Sequence, residues 1–430
     1  MKILAPLLLF VATSASAQGA QQLKAQVDGV YPSAEELYIH LHKTPELSLK
    51  ESATAARLAT ELKQIGYEVT TGVGGTGVVA VMKNGAGPTV MLRTELDALP
   101  VTENTGLPFS STVKTKDAAG IEVGVMHACG HDLHMAAWIS TARIMAADRK
   151  SWKGTLMLIG QPAEEISAGA KAMIADGLFN RFPKPDYALA VHDDARFPAG
   201  LIGFRAGPIF TNSDALTVTI FGRGGHGARP EATVDPVVIA ARTVVALQTI
   251  VSREMSPFDP AVITVGSIHG GTKHNIIPDQ VQLQLTVRSF TPAVREKLLS
   301  AIARVVKAEA SAAGADREPQ IVQDQASDAL VNDSALTQRV SSALTRELGS
   351  ARIIDAPPEM VSEDFGRFQL GGVPTLMLRV GAIERAKYEQ AAKTGERLPG
   401  LHSSQFYPDR EPVMKAAIMA EVIALRELLR

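Results

Sequence analysis

The chain has 430 residues, 46% of them hydrophobic and 20% charged, with 43 Lys+Arg against 45 Asp+Glu and a formal net charge of -2. This apolar content supports a sizeable buried core and excludes a mainly disordered chain. The lack of a basic excess argues against nucleic acid as a partner, and one cysteine excludes an internal disulfide framework.

The chain opens on an export pattern. Lys2 precedes an apolar run over residues 3–11, too short to span a bilayer as a helix, and Ala15-Ser16-Ala17 supplies a small-x-small cleavage signal. Residues 1–17 are expected to be a signal peptide. The mature protein then starts at Gln18, carries no membrane anchor, and is exported, to the periplasm if the host has two membranes. No other stretch reads as membrane-spanning. The length suggests two or three domains, at roughly 150 residues each.

Ser33 marks a predicted helix start, and residues 53–65 read as an amphipathic helix. Residues 77–82, 89–92, 154–159 and 187–191 are short apolar runs that predict buried strands. Strands of this kind separated by helices indicate an α/β layer fold with both sheet faces covered. From residue 211 the pattern changes. A strand is expected over 215–221, and Asp235-Pro236 caps a helix to about 251. Strands follow over 261–268 and 280–287, then an Ala-rich helix over 292–313 closed by Gly314, then a short strand at 321–322. That β-α-β-β-α-β order matches a ferredoxin-like unit. Residues 328–430 return to α/β character and end in a helix after Pro412. The predicted organisation is a catalytic domain in two parts, 18–210 and 328–430, interrupted by an inserted α+β domain over 211–327.

Four segments carry metal-competent groups. In Met126-His127-Ala128-Cys129-Gly130-His131-Asp132-Leu133-His134, Cys129 and His131 are thiolate and imidazole donors two residues apart. Gln161-Pro162-Ala163-Glu164-Glu165 places two adjacent carboxylates directly after an apolar run, where their repulsion needs a cation or a proton to offset it. Their side chains are expected to diverge, one to ligate a metal and the other to face the reacting water. Taken alone, the pair reads more readily as a solvated helix opening. His192 follows the run 188–191, and His402 stands in Leu401-His402-Ser403-Ser404. Each histidine alone reads more readily as structural. Together Cys129, His131, Glu165, His192 and His402 are enough ligands for two divalent ions.

Five motifs occur in order: Arg93-Thr94-Glu95-Leu96-Asp97-Ala98-Leu99-Pro100, His127-Ala128-Cys129-Gly130-His131-Asp132, Gln161-Pro162-Ala163-Glu164-Glu165, Gly224-Gly225-His226-Gly227-Ala228 and Asn275-Ile276-Ile277-Pro278. With Ser362-Glu363-Asp364-Phe365 and Leu401-His402, they resemble the amidohydrolase branch of the aminoacylase/carboxypeptidase metallopeptidase family, which includes hippurate hydrolase and the indole-3-acetyl-amino-acid hydrolases. The resemblance runs from about residue 30 to the C-terminus. It implies a dinuclear-metal, aminopeptidase/carboxypeptidase-like catalytic domain with an inserted ferredoxin-like lid or dimerisation domain. It carries metal ligation onto Cys129, His131, Glu165, His192 and His402, and the general base onto Glu164. His226 matches the residue that polarises the scissile carbonyl. Asn275 and Arg288 match residues near substrate, with Arg288 suited to a carboxylate. The chain departs from the family pattern at Arg93-Thr94-Glu95, where Arg-Ala-Asp is usual. It departs again at Gly160 before Gln161, at Ile166-Ser167 where glycines are common, at Asp193 where an apolar residue is usual, and at Glu231 where a histidine is frequent.

The expected reaction is hydrolysis of the amide bond of an N-acyl amino acid, with two divalent ions, zinc or manganese, as cofactor and cobalt as a further option. A metallo-carboxypeptidase or dipeptidase would use the same site on a short peptide. A cysteine nucleophile, Cys129 with His127 or His131, is the rival mechanism, and it leaves Glu164, Glu165, His192 and His402 without work. A non-catalytic binding protein on the same scaffold is the remaining reading, and the intact base beside a full ligand set argues against it. The inserted domain is expected to serve as a lid or as the edge of a homodimer.

Overall fold

The computed structural model describes residues 7–117 and 119–430. The leader expected over residues 1–17 lies outside the described residues in its first six positions, and its later ones enter only as backbone of the first helix. The chain divides into two units: Met1–Gly207, Asn332–Pro357 and Arg367–Arg430 form the first, Pro208–Val331 and Pro358–Gly366 the second. Residues 358–366, which the sequence reading placed with the catalytic part, group with the second unit. Thr211 explains this locally: its backbone N–H and its hydroxyl both bond to the carbonyl of Val361, at 2.9 and 3.0 Å.

In the first unit, among the described residues, eight strands form one sheet. Their spatial order is Glu68–Val73, Gly77–Asn84, Gly154–Gln161, Thr89–Glu95, Tyr187–Pro198, Thr375–Ile383, Ile202–Phe204 and Ile353–Asp355. The four central strands from Gly154–Gln161 to Thr375–Ile383 run parallel. Their apolar residues alternate between faces, and both faces are buried. Val78, Ala80, Val90, Leu92, Leu156, Leu158, Leu189, Val191, Leu376 and Leu378 join the main core cluster. The intervening Val79, Val81, Met91, Met157, Ala188, Ala190 and Met377 are buried on the opposite side. Parallel strands covered on both faces need near-continuous apolar runs, which is how these segments read in the sequence. The His131–Ala147 helix is buried almost all round, packed with the Leu7–Lys43 and Arg410–Leu428 helices.

Two helix ends differ from expectation. The first helix runs unbroken from Leu7 to Lys43 through Pro32, so Ser33 does not start it. Leu23 and Val27 before the proline, and Leu37, Tyr38 and Leu41 after it, are all buried in the core, and this packing outweighs the backbone bond that Pro32 removes. The last helix starts at Arg410, and Pro412 occupies its first turn.

The second unit holds a four-stranded antiparallel sheet in the order Ala261–His269, Gln280–Ser289, Asn212–Phe221, Gln320–Ser327. The Pro236–Thr249 and Pro292–Ala312 helices pack against it. This is the ferredoxin-like arrangement. The Asp235 carboxylate caps the first of these helices, accepting from the N–H of Val237 at 2.8 Å. Contrary to the expectation of no further spanning stretch, Pro236–Glu254 is long and apolar enough to cross a membrane by length and composition. Its Ile239, Ala240, Leu247 and Ile250 are buried in the second unit's core, while Val237, Val238 and Val245 are exposed.

Candidate metal centre

The site forms at the carboxyl ends of the parallel strands, where α/β sheets open a crevice. Thr89–Glu95 leads to Asp97, Gly154–Gln161 leads to Glu164 and Glu165, and Tyr187–Pro198 carries His192. His131 is the first residue of the central helix. The turn before it needs Gly130, whose φ is 76°.

The structure brings all five sequence-predicted ligands and Glu164 together in the first unit. Cys129, Glu165 and His402 each offer a donor atom within 4.8 Å of the others, and so do His131, Glu164 and Glu165. Cys129 Sγ lies 3.6 Å from Nε2 of His192. Nε2 of His402 lies 3.4 Å from Glu165. Nε2 of His131 stands 3.9 Å from a carboxylate oxygen of Glu164 and 3.9 Å from one of Glu165. The two carboxylates therefore converge on His131 rather than diverging, because the turn after the strand is tightly wound: Ala163 and Ser167 take φ of 50° and 52°.

The imidazole tautomers are fixed by the backbone. Nδ1–H of His131 donates to the carbonyl of Asp97 at 2.8 Å, and Nδ1–H of His192 donates to the carbonyl of Asp193 at 2.7 Å. Each ring thus turns the Nε2 lone pair toward the site, and Nε2 of His131 is buried with no hydrogen-bond partner. Second-partner anchoring of this kind is what metal-binding histidines require. His402 is held in left-handed backbone, φ 66°, by its N–H bond to the carbonyl of Ala128 at 2.7 Å, beside Cys129.

Several residues that position the site carried little signal of their own. The Asp97 carboxylate accepts from the N–H of Glu164 at 3.1 Å, the N–H of Glu165 at 3.0 Å and the Ser48 hydroxyl at 2.6 Å. Burial raises Asp97 to about 6, against those hydrogen bonds. Glu51 anchors the same turn through the N–H of Ala163 at 2.8 Å. Glu95 stands 3.1 Å from Nδ1 of His134 and pairs with Arg93. Although its burial opposes this, Arg93 and His134 hold it well below the usual carboxylate range. His42 bridges Asp132 at 2.6 Å and Glu103 at 3.1 Å, which raise it to about 10 despite its burial. The motif over residues 93–100 and the histidines of 126–134 were visible in the sequence, but not these pairings.

The donor set fits divalent cations. Burial and the carboxylates of Glu165 and Glu164 push the Cys129 thiol up. A thiolate here therefore needs a compensating cation. The same electrostatics work against Cys129 as a free nucleophile. Thiolate, imidazole and carboxylate donors in one cluster, buried except at the exposed His402 and the half-buried Glu165, suit zinc and related divalent ions.

His226, Asn275 and Arg288 belong to the second unit. His226 is exposed in a short strand paired with Ile276. Asn275 accepts at its carbonyl from the N–H of Gly227 at 2.9 Å, one residue from His226. Arg288 is half-buried in the Gln280–Ser289 strand, and its Nη1 is buried without a hydrogen-bond partner.

The comparisons agree with this geometry. The model for Peptidase family M20/M25/M40 matches residues 91–402. The chain is 36% identical over 396 residues to the hippurate hydrolase of Campylobacter jejuni, covering 92% of this chain and 96% of that protein. It is 35% identical over 390 residues to thermostable carboxypeptidase 2 of Saccharolobus solfataricus, covering 90% and 93%. Among solved structures it resembles the Bacillus subtilis YXEP protein, described as a dinuclear metal binding peptidase from the M20 family. That likeness has a TM-score of 0.75 at 28% identity and covers 93% and 98% of the two chains. The matched span takes in the turn of Cys129 and His131, the Glu164-Glu165 pair, His192 and His402, and the chain belongs to Peptidase family M20/M25/M40.

Proposed function

We propose that this metal-dependent hydrolase cleaves the amide bond of N-acyl amino acids, releasing a carboxylic acid and a free amino acid. The observation that carries the reading is the convergence of Glu164 on His131 within a complete ligand set. Cys129, His131, Glu165, His192 and His402 would hold two divalent ions, zinc or manganese, with cobalt a further option. Bound there, the ions supply Lewis acidity and lower the pKa of water toward neutrality. Glu164 accepts the proton as water attacks the carbonyl carbon, then returns it to the leaving nitrogen, so the amine departs neutral. Asp97 keeps that carboxylate in place through its two backbone N–H bonds. His226 polarises the scissile carbonyl. Asn275 and Arg288 bind the rest of the substrate, and the buried, unpartnered Nη1 of Arg288 supports a carboxylate as its partner.

The relatives are named for both hippurate hydrolysis and carboxypeptidase activity, which keeps short peptides as the second substrate class. A kinetic profile of metal-loaded enzyme on N-acyl amino acids against dipeptides and N-blocked peptides tests the choice. Higher kcat/KM on N-acyl amino acids is expected, and a preference for peptides would reassign the enzyme as a peptidase. The exposed Val237, Val238 and Val245, beside the edge strand Ala261–His269, support the second unit as a homodimer contact. The pattern of Lys2, the apolar run and Ala15-Ser16-Ala17 supports export with removal of residues 1–17.

A further inference from the structure

Asp193 stands directly after His192. Its side chain is 2% exposed, and neither carboxylate oxygen accepts a well-directed hydrogen bond. Oδ1 lies 3.3 Å from Nε2 of His134 and 3.3 Å from Nδ1 of His192. Both nitrogens are already engaged by the backbone of Asp193 itself. Its N–H donates to Nε2 of His134 at 2.9 Å, and its carbonyl accepts from Nδ1 of His192 at 2.7 Å. The carboxylate is also wedged under the turn between Cys129 and His131. A Cβ added to Gly130 would meet Oδ2 at 2.4 Å.

A buried carboxylate is costly to the fold by itself, and His134, set between Glu95 and Asp193, offsets that cost in the metal-free protein. Glu164 and Glu165 add to the negative charge of the same pocket. A divalent cation held by the groups that Asp193 touches would be attracted by this combined charge. We propose that Asp193 is a positioning residue for the metal centre: its buried carboxylate, set between the turn of Cys129 and His131 and the ring of His192, raises the centre's affinity for divalent cations. The proposal rests on the metal-dependent reading given above. It concerns a residue outside the proposed ligand set.

The test uses the full chain stripped with a chelator and titrated with zinc against a chromophoric competitor, alongside thermal melts with and without zinc. Asp193→Asn keeps the shape and removes the charge, and Asp193→Ser removes both. In both variants zinc affinity should fall by about 10–100-fold, the usual effect of losing a group that supports metal ligands. Zinc should raise the midpoint of the Asn variant less than that of wild type. Zinc affinity within about twofold of wild type would overturn the proposal. So would a zinc-dependent rise in midpoint that is the same for the Asn variant as for wild type. Wild type that binds no zinc, manganese or cobalt would overturn both this proposal and the metal-dependent reading, whereas normal wild-type binding with unaffected variants would remove this one alone.

Discussion

Ala163 and Ser167 hold left-handed backbone on either side of the Glu164-Glu165 pair, and neither is glycine. Such a conformation costs an L-residue about 1–2 kcal/mol. Here it is held by the Glu51 bond to Ala163 and by the Ser167 N–H bond to the carbonyl of Glu164 at 2.6 Å. Ser167→Gly should therefore be more stable than Ser167→Ala by about 1 kcal/mol in denaturant unfolding, and equal stabilities would show that the turn is not strained. The two glutamates should separate by metal content. Glu164→Gln should keep its metal and lose roughly 10²–10⁴ in kcat as a missing general base. Glu165→Gln should lose metal as well as rate, and elemental analysis showing the reverse would exchange their roles. The candidate ligands were legible in the sequence only as a set, because each of those groups alone has a common structural use. The positioning by Asp97, Glu51, Glu95 and Asp193 was not legible. A carboxylate that accepts backbone N–H groups from residues 67 and 68 positions away, as Asp97 does, leaves no local pattern.

At the scale of elements, the buried strands were readable from their apolar runs, and Asp235 at the start of one second-unit helix and Gly314 at the end of the other bounded them. The first helix was misread at Pro32-Ser33, because tertiary packing of Leu37, Tyr38 and Leu41 overrides a local signal. A buried ionisable group between two helices makes a testable case. Glu421, in the last helix, accepts from the Thr141 hydroxyl of the central helix at 2.5 Å. Burial raises it to about 8, with the Thr141 bond opposing. The folded state therefore holds a proton that the unfolded chain releases above its ordinary range near 4.5. This stability contribution is complete below the unfolded value and is lost as pH rises through about 8. Glu421→Gln keeps an acceptor for Thr141 and cannot ionise. Its unfolding free energy should rise relative to wild type from about pH 5 to about pH 9, the gap reaching roughly 2 kcal/mol or more. A constant gap would mean that Glu421 is already ionised in the fold.

At the scale of the whole molecule, the change of pattern near residue 211 and the β-α-β-β-α-β order made the insertion visible. The return of residues 358–366 to the second unit was not, because it rests on the Thr211 to Val361 pairing, far apart in the chain. The insertion's part in the reaction is tested through Arg288. Replacing it with Ala should cut kcat/KM for N-acyl amino acids by about 10–10³, from the roughly 1.5–3 kcal/mol of a charged hydrogen bond, and should matter far less for the matching amides. An equal loss on both would make Arg288 a structural residue of its unit. The central claim is that hydrolysis depends on the metal centre built from Cys129, His131, Glu165, His192 and His402. Its most direct test is the rate of N-acyl amino acid hydrolysis by chelator-stripped protein, before and after zinc, manganese or cobalt is restored, with metal content measured in the same samples. The account predicts that activity disappears with the metal and returns with it; full activity in a demonstrably metal-free sample would contradict it.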